Sequence, residues 1–322
     1  MKAAWLFPGQ GSQSVGMARD ILEASPAARL VFERADAALA GLWEGGGGPL
    51  SRVILEGPDE ALTLTANAQP ALVATSCAIL AAIREQAPGV PDPMVAAGHS
   101  LGEYSALVAA GALSLEDAVR LVRVRGRSMQ EAVPPGTGAM AAIMGVEPAR
   151  LEALCVQAAK GEVVSPANFN APGQIVVAGH AGAVARIVDL VTAEKGRAIP
   201  LKVSAPFHCA LMAPAARVVE AELARTDVRT PRFPVVANFD ARPNVDAARA
   251  KELLVRQVDG AVRWDESVRL MAAEGITHAL EIGPGKVLAG LVKRIAKEIR
   301  VLSVSDAASI GQVSAFLGEA SG

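Results

Sequence analysis

Five residues constrain this chain more than any others: Gly98-His99-Ser100-Leu101-Gly102. The apolar run Met94-Val95-Ala96-Ala97 leads into them, and a helical pattern from Glu103 to Ala110 leads out. Gly-x-Ser-x-Gly between a strand and a helix is a tight turn that holds a serine hydroxyl above the sheet edge. The flanking glycines fit because a Cβ on either would clash in so sharp a turn. The serine then stands at a helix N-terminus, where free N–H groups can stabilise an oxyanion. This reading makes Ser100 a nucleophile; the alternative is a plain helix N-cap.

The rest of the chain reads as alternating strands and helices. Ala3 to Phe7 is a buried first strand ending at Pro8-Gly9-Gln10-Gly11-Ser12-Gln13. The spacing does not match a dinucleotide loop, since Ser14 stands at the third glycine position. A loop at the carboxyl end of a strand is where open α/β sheets place ligands, which puts Gln10 at the mouth of the site. Helical periodicity runs from Met17 to Leu39, from Ala66 to Ala87 and from Leu115 to Val133. Gln69 reads as a surface or cap residue, or alternatively as site-lining, with Pro70 near the first turn. On the third helix Arg120, Arg123 and Arg127 form a solvated face, while Arg125 points at protein. An inward guanidinium needs a carboxylate or an anionic ligand.

From Pro134-Pro135-Gly136 the order becomes βαββαβ up to Ser204, a ferredoxin-like unit. The expected fold is therefore α/β: a hydrolase-like core with a mostly parallel sheet over residues 1–133 and 205–322. A small ferredoxin-like subdomain over 134–204 is inserted into it. The α/β pattern resumes with a strand at Phe233 to Phe239 and ends with strands at His278 to Ile282 and Arg300 to Val304.

A serine nucleophile needs a base. His99 adjoins Ser100, and neighbouring side chains diverge. Two arrangements remain open from spacing. One is a triad with His278 and either Asp240 or Asp259; the other is a Ser100–His208 pair whose imidazole is oriented by a backbone carbonyl.

Composition excludes several classes. The formal net charge is -2 and aromatics make up 3% of residues, so neither a basic stripe nor a stacking platform for nucleic acid is present. The three cysteines are scattered, which fits a reduced, cytoplasmic setting. No run approaches membrane-spanning length, and the N-terminal apolar stretch is too short for a signal sequence. Residues 45–48 are four glycines and read as a flexible surface loop. No apolar heptad or long amphipathic tail is evident, so a monomer is expected.

The chain carries Phe7-Pro8-Gly9-Gln10-Gly11-Ser12-Gln13, Asn67-Ala68-Gln69-Pro70, Gly98-His99-Ser100-Leu101-Gly102-Glu103-Tyr104, Arg125-Gly126, Asn168-Phe169-Asn170-Ala171-Pro172-Gly173-Gln174, Phe207-His208, Leu254-Val255-Arg256-Gln257 and Glu281-Ile282-Gly283-Pro284-Gly285. In this order they resemble the malonyl-CoA:acyl carrier protein transacylases of dissociated bacterial fatty-acid synthesis. The resemblance implies Ser100 as nucleophile and His208 as base, with the main-chain carbonyl of Gln257 orienting the imidazole. It implies oxyanion donors at the backbone N–H groups of Gln10 and Leu101, and Arg125 as the receptor for the malonyl carboxylate. Gln69 would line the site; Asn170, Gln174 and Arg197 would lie near the CoA arm, and Phe207 would narrow the acyl pocket. Gly196 stands where family members often carry a second cation. Malonyl-CoA and an acyl carrier protein would be the substrates, with no metal or other cofactor. Two other readings stay open: a discrete polyketide-synthase acyltransferase, and a serine esterase that uses His278.

Overall fold

The computed structural model describes residues 2–43 and 48–319. The glycines at 45–47, part of the loop read above as flexible, lie outside the described residues.

Among the described residues ten strands form two sheets: β1 (Ala3–Phe7), β2 (Val95–Gly98), β3 (Gly138–Met144), β4 (Val164–Ala171), β5 (Gln174–His180), β6 (Arg197–Pro200), β7 (Val235–Val236), β8 (Pro243–Asn244), β9 (His278–Ile282) and β10 (Arg300–Val304). The larger sheet has the order β10-β9-β1-β2-β7-β8. Its pairings are parallel except for β7 with β8. β1, β2 and β9 are buried at every position, because helices cover both faces of the sheet. On one face Trp5, Phe7 and Leu280 join a core built on the helices Pro26–Leu39, Thr65–Gln86 and Leu115–Glu131. On the other, Ala4, Leu6 and Ala279 pack against Trp264, Val268, Leu288 and Val292.

The smaller sheet is antiparallel, in the order β4-β5-β3-β6. That is the ferredoxin-like arrangement, with the helices Pro148–Ala159 and Ala181–Ala193 on one face. Met140, Val176 and Ala178 on the opposite face pack against Cys209, with Phe207 beside them. The insert thus rests on the loop that carries His208.

Two of the helices that carry functional candidates begin at strong caps. The Ser114 hydroxyl accepts from the Asp117 N–H at 3.0 Å and starts the helix of Arg125. Asp246 accepts from the Arg249 N–H at 2.7 Å and starts the Ala247–Asp259 helix, which carries Gln257. Such a cap is worth about 1 kcal/mol.

Several local expectations are corrected. The Met17 to Leu39 periodicity is two helices, Arg19–Ala24 and Pro26–Leu39, divided where Ser25 caps the second. Pro70 lies inside its helix, which begins at Thr65, and not in the first turn. That helix has 22 residues and is long and apolar enough to cross a membrane by length and composition, contrary to the reading of the sequence; here it is almost wholly buried in the fold. The expected strand Phe233 to Phe239 pairs only at Val235–Val236, because the chain turns at Asn238 to reach the Ser100 loop. Arg123 is buried, bonds Asn67 and lies over the Trp43 ring at 4.8 Å, so it is not part of a solvated face.

Gly126 is where the Leu115–Glu131 and Thr65–Gln86 helices meet. A Cβ there would stand 2.6 Å from the Thr65 carbonyl oxygen and 2.9 Å from the Ala66 Cα. Both neighbours are backbone and cannot rotate away. Gly126→Ala is expected to destabilise the protein by about 1–3 kcal/mol despite its better helix propensity. The urea midpoint of unfolding checks this; a midpoint at or above that of the parent would show that the helices have room to part.

Candidate active site

Ser100 follows β2 and precedes the Gly102–Ala109 helix with φ of 52°. The left-handed region costs a non-glycine residue on the order of 1–3 kcal/mol, and only a tightly determined surrounding holds it there. That surrounding is backbone. A Cβ on Gly98 would fall 1.9 Å from the Gly102 carbonyl group, and one on Gly102 would fall 2.2 Å from the Phe7 carbonyl oxygen. The elbow is wedged against the end of β1. Asn238 secures it: Oδ1 accepts from the Ser100 N–H at 2.6 Å, and Nδ2 donates to the Gly98 carbonyl at 2.7 Å.

Ser100 Oγ lies 2.8 Å from His208 Nε2. His208 Nδ1 lies 2.8 Å from the main-chain oxygen of Gln257. A carbonyl only accepts, so Nδ1 carries the proton and the neutral ring presents a bare Nε2 to the serine. Burial, and next the Arg125 charge, lower the pKa of His208 to about 3. The imidazole is therefore neutral and able to accept a proton across the physiological range.

Arg125 is 1% exposed. Its guanidinium donates to Gln69 Oε1 at 2.7 Å, to Gln257 Oε1 at 2.9 Å and to Ser100 Oγ at 3.1 Å. None of these acceptors carries a charge, and Nε has no partner. Gln69 is buried against this group, which agrees with the site-lining reading and not with the surface or cap one. Burial lowers the Arg125 pKa, opposed by Tyr104 and Glu103. A buried cation held only by neutral oxygens has the chemistry to take an anionic group.

A cavity of about 370 Å³ opens above the serine. Gln10, Gln69, Leu101, Arg125, Phe207 and His208 all line it, with Met140 and Asn168 of the small sheet on the far wall. Among the described residues, the backbone N–H groups of Gln10 and Leu101 have no hydrogen-bond acceptor. They are available to an oxyanion. The Gln10 side chain turns aside to donate to Thr65 Oγ1 at 3.2 Å.

Asn170, Gln174 and Arg197 lie outside the cavity lining, at one rim of the small sheet. Gln174 and Arg197 both register against Met144, and Ala171 registers against Gln174. Asn170 Oδ1 accepts from His99 Nε2 at 2.9 Å, and Arg294 donates to Gln174. His278 does not approach the serine. It registers with Ala3 at the amino ends of the strands, while Gly98 registers with Phe7 at the carboxyl ends. Its ring bonds Thr277 and packs on Phe316, so the arrangement with Asp240 or Asp259 does not form. Among the described residues no group of three or more His, Cys, Asp or Glu side chains is placed to hold a metal ion.

Two residues of the site went unassigned in the sequence. Glu103 is buried and accepts from the Asn238 N–H at 2.9 Å and from Gln257 Nε2 at 2.7 Å. Asn238 was read as strand; its polarity within the run Phe233 to Phe239 was the available signal.

An elbow serine, a carbonyl-oriented histidine and two free N–H groups define an acyl transferase site. Residues 4–316 match the acyl transferase domain family. The malonyl CoA-acyl carrier protein transacylase of Salmonella typhimurium is 46% identical over 308 residues, 95% of this chain and 97% of that protein. The enzyme of that name from Bacillus subtilis is 47% identical over 312 residues, 96% and 95% of the two chains. A crystal structure of an acyl carrier protein S-malonyltransferase from Vibrio cholerae matches with a TM-score of 0.92 at 46% identity, covering 97% of this chain and 100% of that one. A malonyl-transacylase solved in complex with a type II polyketide-synthase acyl-carrier protein matches equally, with a TM-score of 0.92 at 44% identity over 99% and 100% of the chains. The chain belongs to the malonyl CoA-acyl carrier protein transacylase family.

The depressed His208 pKa sets an expectation for Ser100 reactivity. Inactivation by a neutral sulfonyl fluoride should show no break near the ordinary histidine value of about 6.5 as pH falls from 8 to 5. An acid limb centred at 6–7 would mean that the imidazole is solvated in the free enzyme.

Proposed function

We propose that this chain transfers the malonyl group of malonyl-CoA to the phosphopantetheine thiol of an acyl carrier protein, through a malonyl-Ser100 ester. One observation carries the reading: the buried, neutrally held guanidinium of Arg125 lies 3.1 Å from the nucleophile that His208 activates. The fold and the family fix acyl transfer, and the guanidinium supplies the preference for an acyl group with a free carboxylate.

His208 Nε2 takes the Ser100 proton as Oγ attacks the thioester carbonyl. The oxyanion is held by the N–H groups of Gln10 and Leu101, each worth about 3 kcal/mol in such a site. His208 then protonates the departing CoA thiolate. The malonyl carboxylate pairs with Arg125, whose planar fork suits a carboxylate in a way that a lysine does not. The carrier thiol attacks next, with His208 again as base. The CoA arm passes the rim of Asn170, Gln174 and Arg197, and Phe207 narrows the pocket against branched acyl groups. The proposed chemistry uses no metal or redox cofactor, and we place the enzyme in the cytoplasm as a monomer. A polyketide carrier is the second reading, favoured by the solved complex of a similar transacylase with such a carrier.

Intact mass after mixing with malonyl-CoA alone tests the first half-reaction. One malonyl group on the parent, none on Ser100→Ala, and discharge by holo carrier protein are expected. Free malonate without an adduct would mean a hydrolase. Side-by-side discharge by fatty-acid and polyketide carriers separates the two partner readings.

Arg125→Ala leaves the substrate carboxylate buried and unpaired, at a cost of about 2–5 kcal/mol. Malonyl kcat/KM should fall by about 30-fold or more, with acetyl transfer falling less or rising. Equal losses for both acyl groups would make Arg125 structural.

A further inference from the structure

Glu103 is a buried carboxyl group that the transfer chemistry does not use. Its Oε2 accepts from the Asn238 N–H and from Gln257 Nε2. The same Gln257 Nε2 donates to the Ser100 carbonyl at 2.9 Å, while its Oε1 accepts from Arg125. A glutamine amide has one donating and one accepting end. A carboxylate on the donating side therefore decides that the oxygen faces the guanidinium. Around this pair stand Arg125 from the Leu115–Glu131 helix, Asp240 from the turn after β7, and Tyr104 on the helix of Glu103 itself. Asp240 is engaged by Arg249 at 2.6 Å, and burial raises the Tyr104 pKa to about 12.

Resting on the malonyl-transfer reading, we propose that Glu103 is the counter-charge of Arg125, acting through the Gln257 amide, and that it sets the affinity of the guanidinium for the substrate carboxylate. It is a positioning residue and touches no substrate atom. A substrate carboxylate on Arg125 and Glu103, one amide away from it, would compete for the field of one cation. Burial raises the Glu103 pKa to about 7, so near neutral pH the group is divided between its two forms. A malonyl carboxylate arriving on Arg125 adds a like charge and raises that pKa further, so Glu103 takes up a proton from solvent. His208, held near 3, is neutral both before and after the half-reaction and adds nothing to the net proton count. The half-reaction itself is proton-neutral at pH 7: the C–S bond breaks, the ester C–O bond forms, and the serine proton leaves on the CoA thiol.

The experiment is single-turnover malonylation of the parent enzyme at pH 7 in weak buffer with an indicator dye, with the adduct counted by mass. Uptake of ~0.1–0.5 proton per malonyl group is expected. Glu103→Gln keeps an acceptor for Asn238 and Gln257 but loses the charge. It should take up no proton, and its malonyl KM should fall. Its ratio of malonyl to acetyl kcat/KM should rise several-fold and become independent of pH between 6 and 8. An adduct without proton uptake overturns the proposal alone, as does a Glu103→Gln enzyme whose two acyl groups shift equally. If that variant does not fold, the uptake on the parent decides. Absence of a malonyl adduct on the parent overturns the transfer reading and this proposal with it.

Discussion

The Phe7 carbonyl pressed against Gly102 is the contact on which the rest of the site depends. It fixes how far the serine turn sits from the end of β1, and so how the N–H of Gln10 and that of Leu101 face the same space. It also holds Ser100 in a backbone conformation that it would not otherwise adopt. Strain of this kind persists only where several contacts agree. The His99 N–H donates to the same Phe7 carbonyl at 3.0 Å, and Asn238 closes the turn from the other side. Ser100 is positioned by the buried middle of a parallel sheet.

Gln257 unites the other parts. Its main chain fixes the tautomer of His208, and its side chain touches Arg125, Glu103 and the Ser100 carbonyl. One residue on a capped helix thereby ties His208, Arg125 and the Ser100 turn into a single polar network. Nearly every member is buried, so each depends on the others for its hydrogen bonds. The arrangement explains why no carboxylate orients the histidine: the carboxylate of the site, Glu103, is one amide away.

Much of this was legible in the sequence, for identifiable reasons. The strand–turn–helix around Ser100 is a local pattern, and the βαββαβ order is a chain-order pattern; both survive without tertiary information. Arg125 stood out because helical periodicity turned it inward. Spacing alone left the base open between His208 and His278, since which end of the sheet each reaches is a matter of register, a tertiary property; the resemblance was needed to point to His208. Gln69 stayed open between surface and site because a polar side chain in a first turn is usually solvated, and only the approach of Arg125 across two helices settles that it lines the cavity. Arg123 was misread because its partners, Asn67 and Trp43, come from distant chain. The short pairing at Val235–Val236 was invisible because the Glu103 carboxylate, from distant chain, takes the Asn238 N–H in place of a strand partner.

Ser100 and His208 are 108 positions apart, with the small sheet between them. β3 enters that sheet and β6 leaves it as paired neighbours, Ala141 against Pro200, and Gly138 packs directly on Pro206. The insert therefore returns the chain almost to where it departed. Once β3 to β6 have formed, the search for the dyad is no longer the closure of a loop of about a hundred residues but of a short one around a folded unit. The small sheet thus works as a staple: it holds close together the two chain segments that carry Ser100 and His208.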